Sequence, residues 1–163
     1  MLIGYEDLPE ALGANVAIHR LKGEHAVAAS LLLRRLNEVG DTVVAVPLLS
    51  PLVEVQLAQG NVEEARSTAG RIGSLAESSG HPRLAAIAAL ADGRVAFVSG
   101  EAEARGHLER ALEGFGRLEM PLEAARTRVV LARAPRRGSR RGRPRGAGRT
   151  RVVRAARSWT RGR

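Results

Sequence analysis

Glycine interrupts this chain at Gly23, Gly60 and Gly100, and each interruption separates two stretches whose apolar residues recur at helical spacing. The best-formed unit is LVEVQLAQGNVEEARSTAGRIGSLA, Leu52 to Ala76, read as two helices joined at Gly60-Asn61. A second register runs through the starts of the first helices, near Asp41, Pro82 and Pro121. Both registers repeat at 37 to 41 residues. One amphipathic hairpin cannot bury its apolar face alone, so self-similarity at this period points to stacked hairpins. A plain helical bundle is the main alternative.

The spacing predicts seven helices. Asp7, Pro9 and Glu10 form a capping-box start for a helix that runs to about Lys22. A second helix covers about Glu24 to Val39, with Ala28, Leu32, Leu36 and Val39 on one face and Gly40 as its C-cap. A third follows Asp41-Thr42, striped by Val44, Leu48, Leu52 and Val55. Pro47 and Pro51 make it bend or start late, and it ends at Gln59. Asn61, with Glu64 at the capping-box position, opens a fourth striped by Val62, Ala65, Ala69, Ile72 and Ala76. Gly70 and Gly73 weaken it slightly but leave room for a close helix approach. The fifth spans about Pro82 to Val98 on Leu84, Ala88, Ala91, Val95 and Val98. The sixth spans about Glu101 to Leu118 on Ala104, Leu108, Ala111, Leu112 and Phe115. The seventh begins at Met120-Pro121 and carries Leu122, Ala125, Val129 and Ala132 on one face. It has the face of a first helix and no second helix to cover it. That end of the stack is expected to fray, to self-associate through Pro121–Ala134, or to be completed by another element.

Hydrophobic residues make up 44% of the chain and aromatics only 2%, so the core must be built from Ala, Leu and Val. Close-packed helices suit that composition, because Ala has the best helix propensity and lets backbones approach. Cysteine is absent, which excludes disulfides, thiolate metal sites and cysteine nucleophiles. The first residues, MLIGYEDLPE, do not resemble a signal peptide, and no stretch is long and apolar enough to span a membrane. A cytoplasmic location is therefore expected.

The formal charge of +9 is unevenly placed. Twelve arginines and no acid lie in 135–163, which leaves 14 basic and 17 acidic residues in 1–134, a net of −3. Two regions are expected: a helical repeat domain over 1–134 and a disordered Arg/Gly-rich tail over 135–163. The tail has no Leu, Ile, Lys, Asp or Glu, and so no apolar face to bury.

The residues LAQGNVEEARSTAGRI resemble the turn and second helix of a tetratricopeptide repeat. Gly60 and Asn61 match the turn, and Ala65 matches the small residue where paired helices touch. VSGEAEARGHLERALEGFGRL fits as a further unit, one residue shorter after Gly100. The aromatics usual in the first helix of each unit are missing, which makes these repeats degenerate. Over about 40 to 134 the chain is also similar to the repeat region of large LuxR-type bacterial transcriptional regulators. The similarity is carried by VPLLSPLVEVQLAQGNVEEAR and ALADGRVAFVSGEAEARGHLERALEGFGRLEMPLEAARTRVVLARA, most tellingly by Arg117 to Ala134. That resemblance implies an all-α, tetratricopeptide-like solenoid of about seven helices. It also implies a noncatalytic sensor or interaction scaffold, with a protein partner or neighbouring regulator domain in the groove of its first helices. No GxxxxGK[ST] phosphate loop is present, so no nucleotide site is carried over, and no helix-turn-helix follows Ala134. On this reading the chain is the middle part, a fragment, of such a regulator.

The tail admits three readings. Arg141, Gly142, Arg143, Pro144 and Arg145 resemble an AT-hook core, whose extended arginines enter the narrow minor groove of A·T-rich DNA. That makes a DNA-binding protein the alternative function. Nonspecific contact with DNA or RNA through charge alone is the second reading. The third gives the tail no selected function, because an abrupt run of Arg, Gly, Pro, Ala and Ser is also what a GC-rich gene yields when read out of frame.

Catalytic constellations do not stand out, and no cofactor or metal is expected. His19, His25, His81 and His107 fall in different predicted elements, with no pair at the i, i+4 spacing of a helical metal site. Glu63-Glu64 and Glu101 with Glu103 are first-turn acids that complement helix dipoles. Ser78-Ser79-Gly80 and Ser99-Gly100 are turns rather than nucleophile elbows, since no strand precedes them.

Overall fold

A computed structural model of the chain describes residues 9–134. The Asp7 cap and the segment 135–163, with Arg141, Gly142, Arg143, Pro144 and Arg145, lie outside the described residues. The fold is all-α: α1 Pro9–Leu21, α2 His25–Val39, α3 Val46–Ala58, α4 Val62–Ser79, α5 Pro82–Val98, α6 Ala104–Arg117 and α7 Pro121–Arg133. A 3-10 turn, Val43–Ala45, leads into α3, and no strand occurs among the described residues. Each helix packs on the next in the chain, and α3 also packs on α5.

Left-handed residues set the turns. Gly23, Gly60 and Gly100 adopt φ of 77°, 81° and 71° after α1, α3 and α5. At each, two backbone bonds close the helix end, as in Gly60 N–H to Leu57 O and Asn61 N–H to Gln56 O. Gly40 and Gly80 take φ of 66° and 64° after α2 and α4. The equivalent position after α6 is Glu119, at φ 53°. A side chain there crowds the following carbonyl, which costs about 1–2 kcal/mol. Glu119→Gly is therefore expected to stabilise the fold by roughly 1 kcal/mol, less the entropy glycine adds to the unfolded chain. Urea unfolding checks this; an unchanged or lower midpoint contradicts it.

Helix α5 joins two apolar clusters. Ala88, Ala91 and Val95 face a cluster with Leu49, Leu52, Val53, Ala69 and Ile72 of α3 and α4. Ala86 and Leu90 face a second, with Leu108, Ala111 and Phe115 of α6 and Ala124 of α7. The spacing marked one buried face on α5, but its alanines let it pack on both sides. Val98, placed on that stripe, is 50% exposed.

Close helix approach occurs at Gly93 and Gly114, not at Gly70 and Gly73, which have open space where a Cβ would sit. A Cβ on Gly93 would lie 2.7 Å from Leu108 Cδ2, and one on Gly114 would lie 2.8 Å from the Ala86 Cβ. As position rises from 86 to 93 on α5, its neighbour falls from 114 to 108 on α6, so this pair is antiparallel.

Three other expectations change. Helix α3 does not start late but at Val46, because Pro47 occupies the first turn, where its missing N–H has no role. Pro51 lies inside the helix, and the buried face is Val46, Leu49, Leu52, Val53 and Val55, while Val44 is 63% exposed. Asn61 makes no side-chain cap bond, so the capping box with Glu64 does not form. On α7 the buried residues are Ala124 and Thr127, with the Thr127 Oγ1 donating to Glu123 O at 2.7 Å. The stripe Leu122, Ala125, Val129 and Ala132 is the solvent-facing side.

Candidate functional site

The first helices of the successive pairs place charged side chains in one line. Arg20 lies near the end of α1, Glu54 in the second half of α3, and Arg94 in the second half of α5. The Arg20 and Arg94 guanidiniums each donate to one oxygen of the Glu54 carboxylate. Arg94 is the most enclosed, its side chain 15% exposed, against 25% for Glu54 and 35% for Arg20. Burial pulls the Arg94 guanidinium below its usual value; Glu54 pushes it back up, and Arg20 and Arg126 lower it further. An arginine stays protonated under such a shift, so the trio carries two cations on one carboxylate.

This trio stands between two cavities. One, of about 690 Å³, is lined by Val46, Pro47 and Ser50 of α3, Leu84 and Ile87 of α5, and Met120, Glu123 and Arg126 around the start of α7. The other, of about 310 Å³, is lined by Leu57 of α3, Phe97 of α5, and Val130 and Arg133 of α7. Both include Arg20, Glu54 and Arg94. Together they trace a groove walled by α3 and α7 and floored by α5. Five arginines, Arg20, Arg83, Arg94, Arg126 and Arg133, line it against two carboxylates, Glu54 and Glu123. The groove is therefore cationic in a body, 1–134, whose net charge is −3. Its chemistry is that of a binding surface: guanidiniums for carboxylates, and Val, Leu, Ile and Met for apolar side chains.

No residue of this trio stands out in the sequence as a site, because a lone Arg or Glu on a helix reads as solvated. The available signal was register. Glu54 and Arg94 each lie six residues before the glycine that follows their helix, with opposite charges at equivalent positions. Arg94 and Arg133 each lie twelve residues after the proline that opens theirs.

The histidines do not converge. His19 Nδ1 meets Glu24 at 2.6 Å, His81 accepts from the Arg83 N–H at 3.2 Å to cap α5, and His107 Nδ1 pairs with Arg110 at 2.8 Å. Among the described residues no group of three His, Asp or Glu could hold a metal ion. No described helix is long and apolar enough to cross a membrane.

A second charged group lies on α5 and α6. Asp92 sits 4.0 Å from His107, and its side chain is 45% exposed. Burial holds its carboxyl above the usual value, while His107, Arg110 and Arg66 pull it down. The native state then binds this proton more tightly than the unfolded chain. Ionised Asp92 opposes folding at neutral pH; the penalty fades as pH falls through the raised native value and is gone below the ordinary carboxylate value. Asp92→Asn is expected to raise the melting temperature at neutral pH and to match the parent chain near about pH 3. Thermal melts across pH test it; a lower melting temperature at neutral pH would show that the ion pair outweighs burial.

The arginine-flanked groove thus stands on its own residues: comparison with protein-family models, curated proteins and solved structures found no match to this chain.

Proposed function

We propose that this chain is a noncatalytic, repeat-type interaction module, akin to the hairpin-repeat region of a LuxR-type transcriptional regulator. Its groove receives an acidic segment of a protein partner or of a neighbouring regulator domain. The observation that carries this reading is the concentration of Arg20, Arg83, Arg94, Arg126 and Arg133 in one groove of an otherwise acidic body. Complementary charge speeds encounter and suppresses wrong partners, while apolar walls supply affinity. The solenoid arrangement belongs to the same proposal. Supporting it are the left-handed residues that recur after each of α1 to α6 and the packing of α3 on both α4 and α5.

Arg20 and Arg126 are the groove arginines to remove, because both reach the surface and their loss leaves the core intact. A fluorescent peptide of alternating Glu and Leu is expected to bind the full chain. R20A/R126A should weaken it at least tenfold with unchanged helical circular dichroism. Undiminished binding by that variant would refute the groove reading, since the peptide would then be held elsewhere.

The alternative, DNA binding through the tail, rests on the Arg141, Gly142, Arg143, Pro144 and Arg145 run. It requires that R143A/R145A abolish a preference for A·T-rich over mixed duplexes in salt-titrated binding. Equal binding to both duplexes by the parent chain would leave only nonspecific charge.

A further inference from the structure

The solvent-facing side of α7 carries a short heptad seam. Leu122, Ala125, Val129 and Ala132 follow one another at intervals of three, four and three, the a and d positions of two heptads. All four are exposed, Leu122 at 56% and Val129 at 55%. The opposite side of the helix is anchored through Ala124 and Thr127, so the seam is held in place rather than buried.

The flanks of the seam decide what can cover it. Arg126 and Arg133 border one edge and Arg128 the other, at the e and g positions that set partner choice in paired helices; all three are exposed. No carboxylate occupies a flanking position; Glu123, the acid of this helix, faces the groove. A second copy of the chain would set arginine against arginine along both edges. The segment 135–163, with twelve arginines and no acid, is repelled in the same way. Like charges across a seam oppose pairing, and opposite charges select it.

We infer that this face of α7 docks an amphipathic helix of another protein, about two heptads long, whose apolar seam is flanked by glutamate or aspartate. Leu122, Val129 and Arg128 lie outside both cavities, so they separate this face from the groove, which Arg126 and Arg133 also border.

The test uses the full chain and two synthetic peptides of about three heptads, each with Leu at a and d. One carries Glu at e and g, the other Lys. Fluorescence anisotropy is expected to show the Glu peptide binding at least tenfold more tightly than the Lys peptide. L122S/V129S should weaken the Glu peptide tenfold or more, and R128E severalfold, with helical circular dichroism preserved. R35A, on α2 and outside both cavities, should leave it unchanged. If L122S/V129S has no effect, the peptide is held by the tail or the groove and the inference falls. If R20A alone abolishes binding, the groove reading survives and this one does not. Sedimentation closes the remaining route: a dimer of the parent chain that L122S/V129S dissociates would show that a second copy is the occupant.

Discussion

Phe115→Ala is expected to be among the most destabilising single changes in the chain. Phe115 is fully buried and packs with Leu90, Leu108, Ala111 and Ala124, where α5, α6 and α7 meet. Deleting its ring removes the largest side chain of that cluster. Ala86, Ala111 and Ala124 in the same cluster are too short to move into the gap. Such substitutions cost about 3–5 kcal/mol, transfer and cavity terms together. For a domain of this size that lowers the melting temperature by about 10 °C or more. Phe97, only partly buried, serves as the control, and its alanine variant should cost clearly less. Equal losses at the two sites would mean that the second cluster is not closed as described.

The second large effect is at Glu54. Glu54→Gln keeps the shape of the side chain and removes the carboxylate that, among the described residues, neutralises Arg20 and Arg94. Removing one partner of a fully buried pair costs about 3–5 kcal/mol, because a charge is left uncompensated. Partial exposure of all three groups reduces this to about 2 kcal/mol. Stability and binding should then move in opposite directions. The variant unfolds at lower urea, yet the freed guanidiniums bind an acidic peptide severalfold more tightly. Arg94→Ala should lower both. A Glu54→Gln protein with unchanged unfolding would show that the trio is a solvated surface contact.

The helices were legible because their breaks are chemical. Gly23, Gly40, Gly60, Gly80 and Gly100 all take left-handed φ, a conformation other residues rarely accept. Glu119 takes the same conformation without glycine's signature, so the turn before α7 was marked only by Met120-Pro121. Faces were less legible than helices. A stripe of large apolar residues normally marks the buried side, but α7 reverses this. Small Ala124 and Thr127 pack inward while Leu122 and Val129 face solvent, because proximity to α6 favours small side chains. Gly93 was hidden for a related reason. Its role depends on Leu108, fifteen residues away, and local spacing carries nothing about that partner. The groove trio was the least visible part, since its meaning lies in three helices contributing one charge each.

The central claim is that the groove of first helices is the working surface of this protein. Hydrogen exchange of the full chain, with and without the Glu/Leu peptide, tests it most directly. The claim predicts added protection in α1, α3, α5 and α7, with α2, α4 and α6 unchanged. Protection confined to 135–163, or to α7 alone, would contradict it.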